Sequence, residues 1–168
     1  MAYCVLLRVP LVFSNPKLYP RPLESEAMVS HVDLLPTLAS LFKAPSSARA
    51  DWQGVDYAKI VLDPSVSDVQ DSIVFTYDDV QAGQATGPYV PPPNHITSIR
   101  EGRYKLAKYY DADGTEPDQW EMYDLQHDPL EEHNIAFPAF PRTEEQEDAL
   151  LRLTTKLAEV EQTRLQPL

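Results

Sequence analysis

Between Cys4 and Ser14 the apolar residues run on without alternation, interrupted only by Arg8 and Pro10. A strand with one wet face alternates, whereas a strand of a parallel sheet covered by helices is apolar on both faces, so this run reads as the second kind. Pro16, Pro20 and Pro22 end it. Asp33 is then placed to cap a helix whose Leu34, Leu35, Leu38, Leu41 and Phe42 share one face, with Pro36 tolerated in its first turn and Ala44-Pro45 as its stop. One strand and one helix of an α/β layer cannot close a parallel sheet. Whatever follows must therefore form its own core.

The pattern that follows is antiparallel. A Pro/Ser/Ala/Asp-rich link, Pro45 to Asp51, leads to a short segment around Tyr57 to Leu62. Ser72 to Tyr77 is β-branched and aromatic, His95 to Arg100 and Tyr104 to Tyr110 flank the turn Glu101-Gly102-Arg103, and Gln119 to Leu125 supplies a fourth strand. Ile96 and Ile99 do not alternate, which leaves the register of their strand open. Thr143 with Gln146 forms a capping box, and Leu150, Leu153, Leu157 and Val160 make the apolar stripe of a last helix that can cover the sheet. The expected architecture is an α/β remnant of one strand and one helix in residues 1–63. An α+β subdomain, a four-stranded antiparallel sheet packed against a C-terminal helix, follows in residues 64–168. Between Asp78 and Asn94 lies a long loop with Gly83, Gly87, Pro88 and Pro91-Pro92-Pro93, a length often associated with function.

With 14 basic against 26 acidic residues the formal charge is −12, which argues against nucleic acid and against an anionic membrane surface as partners. Much of the acidity sits in Glu144-Glu145-Gln146-Glu147-Asp148 and Glu131-Glu132, the arrangement of a solvated surface. A single cysteine, Cys4, excludes an internal disulfide and a cysteine zinc site. The run from Val5 to Phe13 is too short to span a bilayer, and Met1 to Cys4 lack the basic residues of a signal peptide. The compartment is left undecided.

The order Trp120-Glu121-Met122-Tyr123-Asp124-Leu125, then Asp128-Pro129, the acidic Glu131, then Asn134-Ile135-Ala136 resembles a recurrent ending of the sulfatase family, within the alkaline-phosphatase-like superfamily. Arg8 to Ser14 resembles that family's late core strand and Ser30 to Leu38 the helix start after it. Gln53-Gly54-Val55-Asp56-Tyr57 is similar to its short Gly-x-Asp-Leu segment, and Ile99 to Leu106 to its late hairpin. The resemblance runs from Arg8 onward and covers the last part of a sulfatase. It implies a sulfuric ester hydrolase of arylsulfatase type whose full-length relatives use calcium and a formylglycine made from a Cys or Ser in a Cys/Ser-x-Pro/Ala-x-Arg core.

Those groups are not met in this chain. Cys4-Val5-Leu6-Leu7-Arg8 has Cys and Arg at the motif's separation but Leu6 at its third position, so Cys4 reads as a small buried hydrophobe. Asp78-Asp79 are adjacent carboxylates that an extended chain points to opposite sides, a poor grip for one ion. The expectation is no catalytic residue, no metal ligand and no cofactor in this chain. Its implied partner is an N-terminal catalytic half, from the same gene or a second chain, with a sulfate ester as substrate only after reconstitution. The competing expectation is a non-catalytic binding or scaffold module. His31 and His127 read as structural, whereas His95, after the rigid proline run, reads as a substrate-rim residue with Asn94 and Arg100. Arg100 and Lys105 offer charge-assisted hydrogen bonds to sulfate, or cross-strand pairing with acidic neighbours.

Overall fold

The computed structural model describes residues 9–45, 52–66, 69–78 and 90–165; Cys4, Asp79, residues 46–51 of the link and most of the long loop lie outside the described residues. The chain divides into two compact units, Val9–Ile73 and Val74–Leu168.

In the first unit a 3-10 turn, His31–Asp33, runs into helix α1, Leu34–Leu41, and a short helix α2, Ala58–Leu62, follows. Tyr57, Ile60 and Val61 form the core, with Phe13, Ala27, Val29 and Leu41 against it. The Phe13 ring meets that of Tyr57 edge-on, at 6.2 Å between centroids. Asp33 makes no side-chain cap to α1. Instead its buried carboxylate accepts from the backbone N–H of Ser30, the backbone N–H of Val55 and the amide of Gln70, each at 2.7 Å. A buried carboxylate is tolerated only when its oxygens are satisfied, and here the satisfaction ties three distant segments together. Beside it Thr37 donates to the Asp33 carbonyl at 2.7 Å and accepts from the Tyr57 N–H at 3.0 Å. α1 ends before Ala44-Pro45, in a left-handed Lys43 (φ 56°) with Ala44 N–H donating back to the Ala39 carbonyl at 2.8 Å.

Two expectations for this unit are corrected. Of the strand expected from Cys4 to Ser14, Cys4 to Arg8 lie outside the described residues, residues 9–14 form no strand, and Val9, Leu11 and Val12 are exposed. Extended chain becomes a strand only when a neighbour takes its backbone hydrogen bonds, and no described residue does so. The face of α1 that packs inward carries Pro36, Thr37 and Ala39, while Leu34, Leu35 and Phe42 are exposed, Phe42 at 80%. Leu34, Leu35 and Phe42 thus face away from the core of their own unit, while Leu41 of the same stripe packs against it.

Gly54 permits the close approach on which the Asp33 tie depends. A Cβ there would lie 2.1 Å from the Val32 carbonyl oxygen, which is backbone and cannot swing aside. Gly54→Ala is expected to cost about 1–3 kcal/mol. Hydrogen exchange should show lost protection in the Val9–Ile73 unit, with the other unit unchanged; an unchanged exchange pattern would contradict the close approach.

The second unit holds the four-stranded antiparallel sheet in the order β1 (Ser72–Tyr77), β2 (His95–Glu101), β3 (Tyr104–Tyr110), β4 (Gln119–Asp124), with β1 starting at the junction of the units. The register places Ile99 opposite Leu106 and Leu106 opposite Met122. This fully buried row packs with Leu153, Leu157 and Ala149 of helix α3, Glu144–Thr163. Ile96 lies three residues from Ile99 and so faces the other side, which resolves their failure to alternate. The α3 capping box is formed as its sequence predicts: Thr143 Oγ1 accepts from Gln146 N–H at 3.3 Å and Gln146 Oε1 from Thr143 N–H at 3.0 Å. Polar clamps flank the apolar row. Glu101 accepts from Arg152 and Lys156, and Glu161 from Thr97 and Lys108.

Candidate functional site

The long loop delivers its end to the start of β2, where His95 lies directly across from Tyr110 in the register. Asp78, just after β1, accepts from the Tyr110 hydroxyl at 3.4 Å and lies 3.0 Å from His95 Nδ1. The two rings stack with centroids 5.2 Å apart and 31° between planes. Burial, reinforced by the negative charge of Asp78, pushes the Tyr110 phenol above its usual pKa, so it stays a neutral donor. A carboxylate on Nδ1 fixes the imidazole's orientation and leaves Nε2 as the atom able to meet a ligand. Asn94 turns back on its own loop, Nδ2 donating to the Val90 carbonyl at 2.8 Å.

Arg100 does not join this group. It stands five residues along β2, roughly 17 Å at strand rise and on the opposite face. Lys105, its cross-strand neighbour, is buried in an ion pair with Glu131. His31 is exposed in the 3-10 turn, and His127 Nδ1 lies 2.9 Å from Asp124. Sequence reasoning did not find Asp78 and Tyr110 as partners of His95. Only the strand register, 15 residues apart for His95 and Tyr110, brings them together.

The stretch from Trp120 to Ala136 works as a clasp on the open edge of β4. Asn134 Oδ1 accepts from the N–H groups of Met122 and Ala136, its amide donates to the Trp120 carbonyl, and Ile135 N–H donates to the Met122 carbonyl, all at 2.9 Å. Edge backbone groups that would otherwise pair with another chain are thereby occupied. Asp128 accepts from the N–H groups of Glu132 and His133 at 3.0 and 2.9 Å, closing the Asp-Pro turn. Glu131, at φ 59°, reaches into the interior to pair with Lys105.

Asp124 accepts a two-pronged hydrogen bond from Arg103, Nε at 2.9 Å and Nη2 at 2.7 Å. That guanidinium, helped by His127, holds the Asp124 carboxyl well below the usual carboxylate range. The unfolded chain, with an ordinary value of ~3.9, therefore binds the proton first as pH falls. Stability from this pair is complete above about pH 4 and declines as the solution is acidified towards the folded value. Urea midpoints measured between pH 5 and pH 2 should fall less steeply for Asp124→Asn than for the parent chain; parallel profiles would remove Asp124 as a source of the acid sensitivity.

Among the described residues, Asp128, Glu132 and His133 bring ligand atoms within 4.8 Å of one another. They do not suit calcium, a hard cation wanting six to eight oxygens, because both Asp128 oxygens already accept backbone N–H groups and one of the three side chains is an imidazole. No helix among the described residues is long and apolar enough to cross a membrane.

No protein in the curated set matches the chain significantly. Among solved structures, BT4656, in complex with its substrate D-glucosamine-2-N,6-O-disulfate, matches with 23% identity over 82% of this chain and 25% of its own, TM-score 0.60. The Bacteroides fragilis protein yidJ matches at 18% identity over 85% of this chain and 27% of its own, TM-score 0.62. BT1596, a 2-O GAG sulfatase, matches at 21% identity over 77% and 24%, TM-score 0.50. At these identities the likeness is one of fold, and the chain spans about a quarter of the length of each. Residues 1–163 match the family model described as N-sulphoglucosamine sulphohydrolase, C-terminal. The clasp on β4, the sheet and its covering helix are thus those of a sulfatase ending, and the chain belongs to the N-sulphoglucosamine sulphohydrolase C-terminal family.

Proposed function

We propose that this chain is the C-terminal part of a sulfuric ester hydrolase and that it completes a catalytic half without hydrolysing sulfate esters by itself. The observation that carries this reading is the set of large apolar residues exposed on the Val9–Ile73 unit. Leu34 and Leu35 of α1 and Phe42 at its end are exposed, as are Val9, Leu11 and Val12 of the same unit, and exposed large apolar residues of this number mark a surface that a partner covers. A catalytic half would cover them and would supply the formylglycine and the calcium site, whose chemistry is a nucleophilic geminal diol and neutralisation of sulfate charge. The family description and the disulfated glucosamine bound by BT4656 support a sulfated amino sugar as the substrate class.

In the completed enzyme His95 would contact the part of the substrate that carries the sulfate, with Asp78 and Tyr110 holding its ring. Asn94 belongs to the same rim, and Arg100 to a separate position on the other face of β2.

The test has two arms. The chain alone, supplied with calcium and a formylglycine-generating enzyme, should show no turnover of an aryl sulfate above background; turnover that Cys4→Ala abolishes would overturn the reading. Co-expressed with the catalytic half of a sulfatase of this family, it should form a complex that turns over substrate, and Phe42→Asp should prevent assembly. In that complex His95→Ala should raise KM about tenfold with kcat nearly unchanged, the signature of lost ground-state contact. A fall in kcat at constant KM would instead make His95 part of the chemistry.

A further inference from the structure

On the sheet face turned away from α3, at the end where β2 begins, lies a cavity of about 730 Å³. The volume falls in the range of small-molecule sites, about 300–1,000 Å³. Its floor is one cross-strand row, Ile96, Tyr109 and Gln119. Glu121, one step along β4 on the same face, accepts from the Tyr109 hydroxyl at 2.9 Å, so the carboxylate and the phenol are held as a unit. Phe137, 60% exposed as a residue, forms an apolar wall. Asp118 brings a second carboxylate to the lining, beside the Gln119 amide.

The charge of this cavity separates it from the sulfate chemistry of its family. Among the described residues, no Lys, Arg or His lines it, while Asp118 and Glu121 both do. A sulfated group placed there would face two carboxylates with no compensating cation among the described residues. An exposed aromatic ring and a half-buried phenol beside amides and carboxylates suit a ligand with an apolar face and a rim of hydroxyls. The rings take the C–H face, and the carboxylates and amides take the hydroxyl protons.

We propose that this cavity binds an uncharged pyranose unit of a carbohydrate, with Tyr109 and Phe137 against the sugar face and Glu121 and Gln119 on its hydroxyls. The site is built within the Val74–Leu168 unit, so it requires no catalytic half and stands or falls apart from the hydrolase reading. Binding is weak, with Kd on the order of millimolar, as expected of a small polar ligand on an open surface.

The test is an NMR titration of the full chain with N,N′-diacetylchitobiose, run in parallel with N-acetylglucosamine-6-sulfate. The expected result is saturable shift of the Tyr109, Gln119 and Phe137 resonances by the neutral disaccharide and a weaker response to the sulfated sugar. Phe137→Ala, at an exposed position and therefore compatible with folding, should weaken binding about tenfold, and Glu121→Gln should weaken it without loss of the folded spectrum. No saturation with the neutral sugar, an unchanged Kd in Phe137→Ala, or tighter binding of the sulfated sugar would each overturn the proposal. Absence of sulfatase activity in a reconstituted enzyme would leave this result untouched.

Discussion

Leu153→Ala is expected to unfold, or nearly unfold, the sheet-and-helix unit. Leu153 is fully buried with Ile99, Leu106 and Met122, each also at 0% exposure. Those three sit on neighbouring strands whose hydrogen-bonded register fixes their spacing, so the space left by the missing methyls has little means of collapsing. Leu→Ala at such sites costs about 2–5 kcal/mol, of which the larger values belong to cavities that persist. Against a total stability of ~5–15 kcal/mol for an ordinary domain, that is a large share for a unit with one helix over one sheet. Glu159→Ala, on the exposed face of the same helix, should be close to neutral. Urea melts followed by helical circular dichroism would decide the matter, and equal midpoints for the two variants would show that α3 does not hold the sheet through Leu153.

Glu131→Gln should cost nearly as much by a different route. Lys105 and Glu131 are 1% and 4% exposed and ion-paired, with the Lys105 ammonium also 5.3 Å from the Tyr123 ring centroid. Removing one charge leaves the other buried without compensation, at a cost of about 3–5 kcal/mol, whereas removing both is far milder. Lys105→Met combined with Glu131→Gln is therefore expected to recover much of the loss, and the double-mutant cycle measures the coupling. The neighbouring Glu132→Gln, exposed, should do nothing measurable. A Glu131→Gln variant as stable as Glu132→Gln would mean that the pair is not buried in solution.

These two variants differ in how visible their basis is in the chain. The Leu153 stripe follows from helical spacing alone, because burial of one face is nearly the only way a helix this amphipathic gains stability in water. Glu131 reads in sequence as one of two adjacent surface acids. Its turn inward depends on the left-handed backbone after Asp128-Pro129 and on a lysine 26 residues earlier, which no local pattern reports.

The candidate site divides the same way. His95 stands out in the sequence because a proline run leads into it, yet Asp78 and Tyr110, which hold it, are brought there by strand pairing. Arg100 looks like a companion because it shares a strand with His95, but an odd separation along a strand sends a side chain to the other face. Helix α1 shows the limit most clearly. Its leucines promise a buried face, and the periodicity is real, but periodicity states only that a face is apolar and not what covers it.

What the amino-acid order determined by itself was the local content: four strands with their hairpin turn, the capped α3 and its stripe, and the ordered Tyr-Asp-Leu, Asp-Pro and Asn-Ile-Ala elements that mark the family. Each depends on backbone propensity or on side chains a few residues apart, whose energies are set within the segment. Only the tertiary structure decided that Asp33 joins three segments rather than capping α1, that Asn134 closes the β4 edge, that Glu131 is buried, and that Leu34, Leu35 and Phe42 face outward. The first three are contacts between residues far apart in the chain, whose partners are chosen by packing and by the need to satisfy buried polar groups, and the fourth depends on what the rest of the unit leaves uncovered.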